Sequence, residues 1–183
     1  MDRREHLRAL LLDHVPATTE EVGHRERMLE LLESADSMSR THWEPGHFTA
    51  SAFVLSPSRD RLLLIFHSKL KRWLQPGGHI DDVDRDIICA ARREVDEEVG
   101  LTDLDAFGSG IFDLDVHPIP ARGAAPAHEH FDVRFAFVSQ TLEHRAGSDA
   151  EAARWVLLDE VQQVESDESV LRATRKLASG RRP

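Results

Sequence analysis

Cysteine is nearly absent. Cys89 is the only one in the chain, so no intrachain disulfide can form, which fits a reducing compartment. Basic charge is scarce too: 23 Lys and Arg face 33 Asp and Glu, a formal net charge of −10. An acidic body attracts neither nucleic acid nor an anionic membrane, so neither is an expected partner. A small anionic substrate stays compatible, because a bound metal inverts the local field. Long apolar runs are missing, and Met1-Asp2-Arg3-Arg4-Glu5-His6 leads into only a short leucine run. No membrane span and no signal peptide are expected, and the default location is the cytoplasm. Internal repeats are absent. The 183 residues suit one domain with a short appendage, and a hydrophobic share of 40% is ordinary for a globular chain.

What the chain has instead is one dense charged stretch, Arg93-Glu94-Val95-Asp96-Glu97-Glu98-Val99-Gly100-Leu101. Glu94, Glu97 and Glu98 are spaced i, i+3, i+4, and at about 100° per residue they share one face of a helix. Like charges at i, i+4 each cost a helix roughly 0.2–0.5 kcal/mol, and Asp96 adds more negative charge. A divalent cation offsets that repulsion, and oxygen-only ligands select a hard ion, Mg²⁺ or Mn²⁺. The plain alternative is a solvated charged face.

Residues 1–40 read as a helical extension, set apart from a main domain over 41–183. Leu7, Leu10, Leu11 and Val15 form an apolar stripe that Pro16 ends. Thr18 or Thr19, with Glu20 and Glu21 behind it, starts a second helix carrying Met28, Leu29, Leu31 and Leu32. Packing on the main domain, a substrate lid, or a dimer element giving a homodimer are its alternative roles. Residues 46–56 and 61–67 read as a strand hairpin, and Trp73-Leu74-Gln75 as a short strand into Pro76-Gly77-Gly78. A helix is expected from Arg85 to Val99, N-capped by Asp84 and followed by Gly100. Residues 104–117 look extended and 118–127 look like a loop. From His128 to Phe137 the pattern alternates, with His128, His130, Asp132 and Arg134 on one face and Phe131, Val133, Phe135 and Phe137 on the other. A strand at 154–158, an amphipathic helix at 167–178 and a frayed Arg181-Arg182-Pro183 tail complete an α/β or α+β chain with a mostly antiparallel or mixed sheet.

The stretch from Gly78 to Leu101 resembles the Nudix box. That family's pattern runs Gly, five residues, Glu, seven residues, then Arg-Glu-aliphatic-any-Glu-Glu-any-Gly-aliphatic. Arg93, Glu94, Val95, Glu97, Glu98, Gly100 and Leu101 match its second half without a gap, and Gly78 with Asp84 matches the first, Asp replacing Glu. Eight residues, not seven, separate Asp84 from Arg93. The Glu triplet sets the register, which places the extra residue in the loop or the first helical turn. The resemblance implies a Nudix-type mixed β-sheet sandwiched between helices, with the N-terminal helical extension added. It also implies an enzyme, a pyrophosphohydrolase that attacks phosphorus with water in a nucleoside diphosphate derivative or nucleotide. On that reading Gly78 (by its carbonyl), Glu94, Glu97 and Glu98 hold Mg²⁺ or Mn²⁺, and a carboxylate of the cluster is the general base. Arg93 orients carboxylates, with Glu97 its helical partner and Asp84 the family's analogue.

The alternating strand supplies further candidates. His130, Asp132 and Arg134 are expected to contact substrate, Arg134 as a bidentate phosphate donor, together with Trp73 and Gln75. His47, His67 and Lys69 are weaker candidates, and Glu129 offers an extra carboxylate. His128-x-His130-x-Asp132 also has the look of a transition-metal face, but no thiolate or fourth ligand accompanies it, so hydrogen-bonded strand histidines are the simpler reading. Two functions compete with hydrolysis: a Nudix-fold ligand sensor without turnover, and an isopentenyl-diphosphate-type isomerase, for which Cys89 inside the box helix is in the wrong place.

Overall fold

Alternation in the central strands decides the layout of the computed structural model, which describes residues 2–68, 70–147 and 150–179. Lys69 and the 181–183 tail lie outside the described residues. Helices α1 (Arg3–Asp13) and α2 (Thr19–Leu31) come first. Strands β1 (Gly46–Leu55), β2 (Arg61–His67), β3 (Arg72–Leu74) and β4 (Gly77–His79) lead to helix α3 (Ile87–Val99). Strands β5 (Leu104–Ala106), β6 (Asp113–Ile119), β7 (His128–Ser139) and β8 (Ala150–Leu157) follow, then a 3-10 turn at Val161–Gln163 and helix α4 (Glu168–Ala178).

All eight strands join one mixed sheet, and the architecture is α+β. Strands β1 and β7 pair in parallel from Gly46↔Glu129 to Leu55↔Val138, while the other pairings are antiparallel. Period two then sorts the side chains. Phe48, Ala50, Ala52 and Val54 join Phe131, Val133, Phe135 and Phe137 in a core that also takes Leu7, Leu11, Met28 and Leu31 of the first two helices and Ala90, Ala91, Val95 and Val99 of α3. Phe53, Leu55, Ala136 and Val138 meet Val170, Ala173 and Leu177 of α4 on the opposite face. That second face is apolar over only half its extent. Over the other half, the same strands present His47, Thr49, Ser51, His130, Asp132 and Arg134.

Several local expectations need correction. Strands β1 and β2 share only the register pair Leu55↔Leu62 beside their turn. Strand β2 pairs with β8 along its whole length and with β3 from Ile65 to His67, and the edge of β1 is taken by β4 through Thr49↔His79, Ala50↔Gly78 and Ser51↔Gly77. Helix α3 begins two residues later than expected, with Asp86 as its N-cap: the Asp86 carboxylate accepts the Cys89 N–H at 2.8 Å. Asp84 is unavailable for capping because its carboxylate is held by Arg93 and by the Asp81 N–H. Gly100 closes the helix at φ +70°, a left-handed conformation that favours glycine. Thr18 caps α2. Val15 lies past the end of α1 and is exposed. No helix among the described residues is long and apolar enough to cross a membrane.

The N-terminal helices are tied to the rest by polar contacts as well as by the shared core. Glu21 accepts hydrogen bonds from His14 Nε2 and from Lys176 Nζ of α4, each at 2.8 Å. Arg3 donates to the carbonyls of Asp81 at 2.9 Å and Asp84 at 3.2 Å, in the loop ahead of α3.

Candidate active site

The site is built where β4 crosses the carboxylate face of α3. The apolar side of the helix, Ala91, Val95 and Val99, is buried in the core, and this turns Glu94, Glu97 and Glu98 towards β4 and solvent. Glu98 is buried, and its Oε2 accepts the Gly77 N–H at 3.0 Å. Glu94 packs so closely on Gly78 that a Cβ at that position would sit 2.7 Å from Glu94 Oε1. A Cβ on Gly77 would sit 2.3 Å from that of Ser51. Both glycines are therefore required for β4 to lie between β1 and the helix.

Arg93 organises the acids around it. Its Nε and one terminal nitrogen donate to Asp84 Oδ1 and Oδ2, each at 3.0 Å. The other terminal nitrogen donates to Glu94 Oε1 at 2.9 Å and to Glu97 Oε2 at 3.1 Å. The carbonyl of His79 accepts at 2.8 Å. The extra residue before Arg93 is absorbed in the loop, so the Asp84–Arg93 pair forms. Burial pushes the Glu94 carboxyl up despite the guanidinium beside it. An all-oxygen donor set with more carboxylates than cations suits a hard divalent ion, so Gly78, Glu94, Glu97 and Glu98 fit Mg²⁺ or Mn²⁺ by donor chemistry.

The predicted substrate contacts on β7 are arranged differently from expectation. Arg134 is fully buried, and all five of its N–H donors have partners inside the protein. Nε donates to Asp132 at 2.8 Å, one terminal nitrogen to Asp113 and the Ser169 carbonyl, and the other to Asp115 and Ser169 Oγ. No donor remains for a phosphate. Asp132 is buried too and accepts from Thr49 Oγ1 at 3.1 Å and Ser51 Oγ at 2.8 Å. Burial alone would raise Asp115, but Arg134 beside it holds that carboxyl well below the usual range. Arg172 and Lys176 of α4 join the same acids, so this is an internal ion network clamping α4 to the sheet.

Other candidates fall in several places. Gln75 donates to Ser51 Oγ at 3.3 Å, and its Oε1 is buried with no hydrogen-bond partner among the described residues. The Trp73 ring is covered by Arg154, whose guanidinium lies 4.1 Å from its centroid, and packs edge-on to Phe66. Glu129 pairs with Arg27 of α2 and is not an extra site carboxylate. His67 accepts the Leu70 N–H at the end of β2. His130 lies in a cluster of rings with His47, His79, His117 and His128. Burial and its neighbours' charge push His130 down to about 2 and His79 to about 4. The sequence hinted at this cluster only through the alternation of His128 and His130 on β7, because His47, His79 and His117 come from β1, β4 and β6.

Residues 45–175 match the family model of the NUDIX domain. No curated protein sequence matches the chain. Among solved structures, a NUDIX-family hydrolase from Clostridium perfringens is 22% identical with a TM-score of 0.55, over 74% of this chain and 98% of that one. The NUDIX domain of NrtR from Shewanella oneidensis, solved with ADP ribose, is 16% identical with a TM-score of 0.55, over 73% and 86%. An Ap4A hydrolase from C. elegans, solved as a binary complex, is 16% identical with a TM-score of 0.52, over 73% and 96%. At these identities the likeness is one of fold.

Proposed function

The chain belongs to the NUDIX family, hydrolases of acid anhydrides, and we propose that this member cleaves the pyrophosphate linkage of a nucleoside diphosphate derivative with Mg²⁺ or Mn²⁺. The observation that carries the reading is the contact of Gly77 and Gly78 with Glu98 and Glu94, braced by the Asp84–Arg93 pair. It presents carboxylates of graded exposure on one face, from buried Glu98 to half-exposed Glu97. Glu94, Glu97, Glu98 and the Gly78 carbonyl would hold the metal. Bound there, a divalent cation supplies charge neutralisation for the diphosphate oxygens and acidifies water. A carboxylate of the cluster takes the proton of the attacking water as its oxygen bonds to phosphorus and the anhydride P–O bond breaks. Arg93 holds Glu94 and Glu97 in place through bidentate contact with Asp84.

A nucleoside-containing substrate is supported by the ADP ribose and Ap4A named for the two structural relatives. Gln75, with its unpartnered buried oxygen, is the best-placed of the expected substrate contacts. Residues 41–183 form the catalytic domain on this reading, and the 1–40 extension braces the loop ahead of α3 through Arg3. Nothing favours the isomerase alternative: burial pushes the Cys89 thiol up, away from a reactive thiolate. A panel of ADP-ribose, nucleotide sugars, dinucleoside polyphosphates and nucleoside triphosphates, with Mg²⁺ or Mn²⁺ and product identification, tests the reading. Release of a nucleoside monophosphate from a diphosphate derivative is the expected result. Binding without turnover across the panel would make the protein a sensor instead.

A further inference from the structure

We propose that His47, His79 and His130 form a second metal site, for a borderline divalent cation of the Zn²⁺ type, distinct from the carboxylate face of α3. Sheet register brings the three together. His47 on β1 is the direct partner of His130 on β7, and His79 on β4 is the partner of Thr49, two residues along the same face of β1. One ring nitrogen from each lies within 4.8 Å of the others. Zinc–nitrogen bonds of about 2.0–2.1 Å place tetrahedral donors about 3.4 Å apart, so small ring rotations close the site.

The state of His47 supplies a second, independent observation. Its Nδ1 lies 3.1 Å from the carbonyl of His42. A carbonyl only accepts, so Nδ1 carries the proton and Nε2 carries the lone pair. That Nε2 is buried with no hydrogen-bond partner among the described residues, on a fully buried residue. A ring whose one nitrogen is anchored to a backbone carbonyl and whose other is a bare buried donor pair is the arrangement of a metal-ligating histidine. Burial leaves that atom with its desolvation uncompensated, and a metal bond removes the penalty. The His128-x-His130-x-Asp132 face weighed in the sequence is not this site, because Asp132 is taken by Thr49, Ser51 and Arg134.

Three imidazoles with no carboxylate or thiolate disfavour Mg²⁺ and suit Zn²⁺, Co²⁺ or Ni²⁺. Three protein ligands leave one coordination position for water or an anionic oxygen. His128 and His117 stand around the trio, with ring centroids 5.2 and 5.6 Å from that of His130. The site does not depend on the hydrolytic reading, because metal binding is measured without turnover.

The test is titration of metal-free protein with Co²⁺, read by visible absorption and by the NMR signals of the histidine rings. The expected result is one equivalent of tightly bound Co²⁺ with tetrahedral absorption, displaced by Zn²⁺, and paramagnetic shifts on the His47, His79 and His130 rings of the wild-type protein. His79→Gln and His130→Gln should weaken binding on the order of a hundredfold, whereas Glu97→Gln should leave it unchanged. Absence of tetrahedral absorption, or shifts confined to other histidines in the wild-type protein, would overturn the proposal whether or not the variants fold.

Discussion

Gly78 leaves no room for a side chain beside Glu94. In Gly78→Ala the new methyl displaces that carboxylate by an ångström or so, and such a displacement of a positioned group costs on the order of a hundredfold in rate. We expect that loss in kcat/KM with circular dichroism unchanged. Arg134 gives the opposite pattern. Arg134→Met removes the shared cation from Asp113, Asp115 and Asp132, and breaking a buried ion network from one side costs about 3–5 kcal/mol. Urea denaturation should show that loss, and a variant as stable as the parent would contradict the structural role given to Arg134. Residue-scale legibility followed chain separation. Arg93, Glu94, Glu97 and Glu98 were readable because one helix turn places them. Arg134 was misread as a phosphate ligand because two of its three acids, Asp113 and Asp115, come from β6, a different strand, and alternation shows a face without showing what covers it.

Helices and strands were legible where period and punctuation agreed. β2 matches its expected span, Asp167 caps α4 and Gly100 ends α3. The pairing of β1 with β7, and the insertion of β4 beside β1, were not, since register between distant strands leaves no local trace. The contact of α2 with α4 carries a pH dependence. Burial alone would raise Glu21, but hydrogen bonds from His14 and Lys176 outweigh it and bring the carboxyl down to about 2 from an ordinary 4.5. Its folded pKa is depressed, so its contribution is fully present above pH 4.5 and is lost as pH falls from there towards 2. The contribution is on the order of 3 kcal/mol. Denaturant midpoints followed from pH 6 to pH 3 should fall steeply for the parent chain and more gently for Glu21→Gln. Parallel curves would show that the α2–α4 contact carries no such linkage.

Across the whole molecule, the N-terminal helices and the sheet share one core. Leu7, Leu11, Met28 and Leu31 lie in the same cluster as Val95 and Phe135. Each such side chain contributes about 1.5–3 kcal/mol when fully buried, so a chain of residues 41–183 alone should aggregate or lose its cooperative unfolding transition. A stable, monomeric 41–183 fragment would instead make the extension an independent appendage. The central claim is that the carboxylate face of α3 performs metal-dependent hydrolysis. Its most direct test is the turnover, on the best substrate of the panel and with Mg²⁺ present, of Glu97→Gln and Glu98→Gln beside the parent protein, with folding checked in each. The expected result is cleavage by the parent that stops on chelation and falls to background in both folded variants; full activity in both would contradict the account.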